Sequence, residues 1–410
     1  MSPADKGLLS VDDAIAAMQD YVSPVAGEEV LPLSEALGRV LAVDQFSPID
    51  VPGFDNSAMD GWAVFRDDLS PDAPSSLPVG GRIAAGHPLP EAAQRGKVYR
   101  IFTGAPVPPG PDAVIMQEQC SQQDGIVTVP KRPKAFDNIR KAGESVARGG
   151  MPLKAGTRLG PQHLGVAATI GLSALPVVRR LRVAVFSSGD EVREPGRPLP
   201  AGAIYDANRH SLRALLQTFG AEVSDLGILP DRLDVIQSTL AHAAKDHDLI
   251  VTSGGVSVGE EDHIKAAVSA LGELHLWRLA LKPGKPLALG RVSGVPFLGL
   301  PGNPVAVMVA FLLFGRPLLD RLSGAAHISP RRYPLPAGFA LSKKPGRREF
   351  PRARVTYTAF GPVVELHASD SSGVLTSMTA SDGLLDLAAE GIDIKPGDLV
   401  PFIPFGELLA

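Results

Sequence analysis

Residues 248–262 read DLIVTSGGVSVGEED, and the fold turns on how that stretch is read. The apolar run Leu249-Ile250-Val251 predicts a buried strand, Gly254-Gly255-Val256-Ser257-Val258-Gly259 a turn, and Glu260 the opening of a helix. Glycines let backbone approach a ligand closely and adopt positive φ. The free N–H groups of a helix start favour an anion there, typically by about 0.3–1 kcal/mol. A phosphate fits such a turn, and so does a plain helix entry with no ligand. Glu260, Glu261 and Asp262 stand just behind the loop and would repel a bare phosphate. At ~4 Å and an effective dielectric of ~20, two like charges cost about 4 kcal/mol. A divalent cation removes the conflict, because Mg2+ binds through one or two carboxylates plus substrate phosphates.

Outward from this unit the chain alternates regularly. Strands are expected over 181–186, 222–228, 249–251, 286–289 and 295–300. Helices are expected over 209–219, capped by Asn208, over 233–244, and over 305–322, capped by Asn303. Repeated strand-helix units imply a parallel, doubly wound sheet with its site outside the carboxyl ends of the strands. Upstream, Ser10 and Asp13 make a capping-box-like start for a helix over 11–21, and a second helix is expected over 34–40. Residues 46–146 are rich in Pro and Gly with short strand-like runs, and 160–170 returns to a helical pattern that is expected to pack with the first helices. Past Pro330 the pattern is all β. The expectation is therefore a multidomain α/β chain. A helical domain (1–45 and 147–178) carries an inserted β domain (46–146), a doubly wound α/β domain spans 179–327, and a C-terminal β-barrel spans 328–410.

The chain has 410 residues, 40 Lys and Arg against 44 Asp and Glu, a net charge of -4 and one cysteine, Cys120. Its length calls for several cores. The charge balance argues against nucleic acid and anionic membranes as partners, which leaves small molecules or protein. A single cysteine allows no internal disulfide and reads as a small buried hydrophobe. The N-terminus lacks a basic segment followed by an apolar one, so a cytoplasmic location is expected. The uncharged stretch 292–315 is broken by Pro296, Gly299, Pro301, Gly302 and Pro304 into pieces too short to span a bilayer.

Three further loops fall at expected strand ends: Ser187-Ser188-Gly189-Asp190-Glu191, Lys282-Pro283-Gly284-Lys285-Pro286 and Leu300-Pro301-Gly302-Asn303-Pro304. The second holds two ammonium groups on a stiff turn suited to an oxyanion. Each alone reads as a surface turn; together at one sheet edge they converge on a crevice. Gly255-Val256-Ser257-Val258-Gly259 also matches the G-x-S-x-G elbow of serine hydrolases. No suitably placed acid and histidine follow, and the carboxylates behind the loop oppose an oxyanion. Walker A, G-x-G-x-x-G and H-E-x-x-H patterns are absent.

FDNSAMDG (54–61), FTGAPVPPGPDAVIMQE (102–118), NIRKAGE, SSGDE, IYDANR, SGGVSVGEEDH, KPGKP and LPGNPVA, in this order, resemble the molybdopterin molybdenumtransferase family, the MoeA proteins, and the E domain of gephyrin. The resemblance covers nearly the whole chain and is least distinctive in the C-terminal barrel. It implies that the α/β domain binds molybdopterin. It implies an enzyme that takes adenylylated molybdopterin and molybdate as substrates, uses Mg2+, and releases AMP and molybdenum cofactor. It also implies a homodimer with a shared active site, and transient contact with the preceding adenylyltransferase and with cofactor-receiving enzymes. By the same resemblance Asp60, Thr103, Glu191, Asp231, Asp262 and Lys282 are candidate catalytic residues, with Glu191 and Asp262 on the metal. Ser187, Gly189, Asp190, Gly254, Gly255, Ser257, Gly259, Arg278, Lys285, Pro301, Asn303, Pro304, Arg352 and Ser371 are candidate substrate contacts. Arg278 stands where relatives often carry Lys, and Trp62 where many have Tyr. The alternatives are the adenylyltransferase of the preceding step, which lacks the flanking domains, and a scaffold on the same fold.

Overall fold

The computed structural model describes residues 8–25, 27–255 and 263–409; Ser257, Gly259, Asp262 and the helix start expected at Glu260 lie outside them. The α/β domain is a six-stranded sheet built from β1 (Arg182–Ser188), β2 (Glu222–Leu229), β3 (Leu249–Ser253), β4 (Gly272–Arg278), β5 (Pro286–Val292) and β6 (Val295–Leu300), in the spatial order β2-β1-β3-β6-β5-β4. The first four strands in that order run parallel, whereas β5 pairs antiparallel with both β6 and β4. The doubly wound core thus carries an antiparallel extension that corrects the all-parallel expectation. β4 itself was not foreseen, because Glu273, His275 and Arg278 break its apolar pattern.

Alternation along the strands sends successive side chains to opposite faces. Val183, Val185, Leu249, Val251, Leu298 and Leu300 pack with helix Asn208–Thr218 and the helical segment 304–322. Ala184, Phe186, Ile250 and Phe297 face helices Leu233–Asp246 and His263–Leu271. Each fully buried Leu or Phe contributes about 1.5–3 kcal/mol, so a one-residue register slip that exchanged the faces would be strongly unfavourable.

Helix Val11–Tyr21 begins as expected, with Ser10 Oγ accepting the Asp13 N–H at 3.1 Å. Its buried residues Val11, Ala14 and Met18 join the α/β core instead of packing with helix Pro161–Thr169. The helix expected over 34–40 is a single turn of 3-10 helix, Leu33–Glu35, followed by strand Val40–Leu41. Gly38 at φ 75° diverts the chain there, and its N–H donates to Leu159 O. Around that turn, strands Glu28–Pro32, Ala174–Val178 and Val40–Leu41 form a three-stranded sheet with helix Pro161–Thr169 alongside. The inserted region carries its own six-stranded sheet around Trp62, Val64 and Ile115. At the C-terminus five strands curl until Ala337 bridges to Val364, giving the barrel.

Candidate functional site

β1, β3 and β6 all end at one edge of the sheet, and the loop between β4 and β5 reaches the same edge because the hairpin pairs Arg278 with Pro286. The four loops therefore converge as expected. They border a cleft of about 510 Å³ whose walls include Glu191, Gly254, Gly255, Lys282, Lys285, Pro301 and Asn303. A second pocket of about 110 Å³ continues from it past Glu191, Gly254 and Gly302 to Ser187, Asp206, Asn208 and Pro304. Between β1 and β3 the connections switch direction, which is where open α/β sheets bind ligands.

Glycine is required at this edge for two different reasons. Gly255 lies at φ 63°, and a Cβ there would stand 2.3 Å from Ile264 Cδ1. At Gly302 a Cβ would find only Gly254 Cα, at 3.9 Å, so that glycine keeps the passage between the two pockets open. Asn208 does not cap its helix as expected. It is the first helical residue, and its Nδ2 donates to Gly302 O at 2.7 Å, tying the IYDANR loop to the LPGNP loop. The Asp206 carboxylate takes the capping role, accepting the Arg209 N–H at 3.1 Å. Asn303 occupies the N-cap position of helix Pro304–Ala310 without a side-chain cap bond and faces the cleft. Ser187 Oγ and Thr252 Oγ1 are buried without a hydrogen-bond partner among the described residues. Such groups are costly unless something satisfies them, and Ser187 lines the second pocket.

The C-terminal domain forms the opposite wall, from which the resemblance named only Arg352 and Ser371. Arg347, Asp370 and Ser372 line the cleft. Lys282 Nζ lies 3.4 Å from Glu349 and 3.3 Å from Asp370, so one of the two expected cations is already paired. Lys285 is exposed and carries no ion pair among the described residues. Arg352 is 3% exposed; its Nη2 donates to Ser369 O at 2.7 Å and Ser371 O at 3.0 Å, and its Nε to Ser377 Oγ at 3.0 Å. Burial pushes its guanidinium pKa down. Arg352 thus holds the 369–371 loop against the cleft, and with Lys282 it lines a side pocket of about 100 Å³. Ser371 Oγ accepts the Gly373 N–H at 3.3 Å. Arg278 and Asp231 are exposed at the same sheet edge but outside the cleft lining, and Gly189 and Asp190 shape the turn that delivers Glu191. Cys120 is half-buried, and burial pushes its thiol up to about 11, which keeps it a thiol at neutral pH.

A second constellation sits in the inserted β domain. Thr103 donates through both its backbone N–H and its hydroxyl to Asp60 Oδ1, each at 2.8 Å, and these bonds hold the Asp60 carboxyl below the ordinary carboxylate range. Among the described residues no hydrogen bond or ion pair joins 46–146 to 179–327. Asp60 and Thr103 are thus brought to each other but not tied to the cleft.

Three family descriptions cover the chain: residues 9–171 match the MoeA N-terminal region (domain I and II), 184–321 a probable molybdopterin binding domain, and 334–405 the MoeA C-terminal region (domain IV). The molybdopterin molybdenumtransferase of Haemophilus influenzae is 39% identical over 405 residues, 98% of this chain and 100% of its own. The chain belongs to the MoeA family. Molybdopterin molybdenumtransferase 2 of Mycobacterium tuberculosis is 37% identical over 393 residues, 93% of this chain and 95% of its own. A molybdopterin biosynthesis MoeA protein from Pyrococcus horikoshii superimposes with a TM-score of 0.83 at 27% identity, covering 97% of this chain and 100% of that one. The MoeA cleft residues missed in the sequence, Arg347, Asp370 and Ser372, and Glu349 of the side pocket, lie in or beside Pro- and Ser-rich loops of the barrel. Their one local signal is the polar run Ser369-Asp370-Ser371-Ser372-Gly373. No helix among the described residues is long and apolar enough to cross a membrane.

Proposed function

We propose that this MoeA-family chain is a molybdopterin molybdenumtransferase acting on adenylylated molybdopterin and molybdate, with release of AMP. The observation that carries the reading is the convergence of a two-lysine loop and two glycine loops on one cleft. Lys282 and Lys285 supply the positive field that a molybdate dianion needs, and Lys282 is steadied by Glu349 and Asp370. Gly254, Gly255 and Gly302 let backbone approach the pyrophosphate link, and the Ser187 hydroxyl, without a partner among the described residues, offers a donor to the pterin end of the substrate. The alternative adenylyltransferase is disfavoured because the match extends over both flanking regions.

Mg2+ is the proposed metal. Glu191 stands on the cleft without an ion pair among the described residues, and those residues hold no cluster of three His, Cys, Asp or Glu side chains. That donor set fits a cation held by one or two carboxylates and by substrate phosphates, with Asp262 as the second carboxylate. When bound, it would offset the negative charge of the phosphoryl groups. A water oxygen attacks the adenylyl phosphorus, the anhydride P–O bond breaks, AMP leaves with the water's oxygen, the pterin phosphate keeps the bridging oxygen, and the released proton passes to solvent. A shared homodimeric site places Asp60 and Thr103 over the cleft of the partner. Its support is the separation of the two constellations together with exposed apolar side chains in the N-terminal region: Val30 is 70% exposed, Phe46 58% and Phe54 51%. The charge balance favours small-molecule substrates, with the adenylyltransferase and cofactor-receiving enzymes as transient partners in the cytoplasm. Incubation with adenylylated molybdopterin, molybdate and Mg2+ tests the reading. AMP should accumulate only when all are present, and its absence refutes the assignment.

A further inference from the structure

Arg100 lies on strand Val98–Ile101, directly across from Trp62 and beside Arg82 on the other neighbouring strand. Two like charges side by side on a sheet are unfavourable. Here both guanidinium groups stack on one ring: the Arg82 and Arg100 carbons each lie 4.6 Å from the centroid of Phe102, and Arg100 also lies 5.5 Å from that of buried Trp62. The edge of the Arg100 plane is equally occupied. Nη1 donates to Gly61 O at 2.8 Å, and Nη2 donates to Gln117 Oε1.

Three of the groups that Arg100 touches, Gly61, Phe102 and Gln117, adjoin Asp60 or Thr103. Gly61 follows Asp60, Phe102 precedes Thr103, and the Gln117 N–H donates to the Asp60 carbonyl at 3.1 Å. Gly61 has no freedom of its own, since a Cβ there would lie 2.0 Å from Ile115 O. We propose that Arg100 is a positioning residue that sets the geometry of Asp60 and Thr103 through Gly61, Phe102 and Gln117. The reading rests on the proposed function of that pair. It requires a planar fork between two rings, a shape that lysine cannot supply although it keeps the charge.

The test is a double-mutant cycle between Arg100→Lys and Asp60→Asn, with AMP release as one readout. Arg100→Lys should lower kcat by roughly tenfold to a hundredfold, the scale of a misplaced catalytic group, with the molybdate KM nearly unchanged. In the Asp60→Asn background the same substitution should cost less than twofold. The second readout needs no turnover: 13C-carboxylate titration of Asp60, assigned with Asp60→Asn. Loss of the Thr103 bonds in Arg100→Lys should raise its pKa toward the ordinary value, with Glu118 as the other carboxylate near it. An Arg100→Lys protein with wild-type kcat and an unshifted Asp60 overturns the proposal, as does an equal cost in both backgrounds. A wild-type protein that releases no AMP refutes the proposed function alone, and the titration still decides the role of Arg100.

Discussion

The backbone N–H of Val305 donates to the carbonyl oxygen of Ser372 at 3.0 Å. This bond satisfies an otherwise orphaned donor in the first turn of helix Pro304–Ala310 with an acceptor from another domain. It fixes the barrel loop that carries Asp370 against the LPGNP turn, so the width of the cleft depends on how the two domains dock.

Lys282 and Lys285 are expected to differ although they share a loop. Lys282→Ala leaves Glu349 and Asp370 without their cation beside an oxyanion site. The molybdate concentration for half-maximal turnover should rise roughly tenfold to a hundredfold, the scale of about 1.5–3 kcal/mol for a charge-assisted hydrogen bond. Adding Asp370→Asn to Lys282→Ala should restore part of the loss, whereas adding it to Lys285→Ala should not. Molybdate titrations of the four variants check this, and equal responses would remove the distinction.

Gly302→Ala should fold normally, because its Cβ meets only Gly254 Cα at 3.9 Å. Its stability is expected within about 0.5 kcal/mol of wild type, with weakened binding of the pterin substrate. Gly255→Ala has φ 63° and a 2.3 Å clash against it and should lose roughly 1–3 kcal/mol as well as activity. Urea unfolding paired with KM measurements separates the two cases.

Acid should loosen the C-terminal barrel. Burial raises the Asp386 carboxyl, but hydrogen bonds from Arg348 and Arg332 outweigh it and hold its pKa below the ordinary 3.8. A carboxyl depressed in the folded state contributes stability that is fully present above its unfolded value and is lost as pH falls through the folded one. Denaturation midpoints should therefore drop below about pH 4, and Asp386→Asn should flatten that drop while lowering stability at pH 7. An unchanged acid limb in Asp386→Asn would exclude the pair as its source.

Asp60→Ala and Glu191→Ala chains, each inactive alone, should recover part of their activity when mixed and allowed to exchange. A mixed dimer assembles one site from the two unmutated halves. Native mass spectrometry would confirm heterodimers; their presence without recovered AMP release would mean that each site is built within one chain.

The strand-end loops at Glu191, Gly254 and Asn303 were legible in the sequence because each follows an apolar run whose period and length define a buried strand. Local residues also fixed the helix at Ser10, whose cap spans three positions. Asn208 misled for the complementary reason: its residue type suits a cap, yet a turn 94 positions away claims its amide. The family motifs named Asp60, Thr103 and Lys282 as site residues, but no local pattern says what a side chain will meet across a domain boundary. Lys282 finds Asp370 88 positions later, and Arg352 donates to the Ser369 and Ser371 carbonyls of its own barrel. Hydrophobic periodicity is encoded in neighbours along the chain and so determined the α/β layer. The far wall of the cleft and the pairing of its charges depend on how separately folded units pack, and only the tertiary structure decided those.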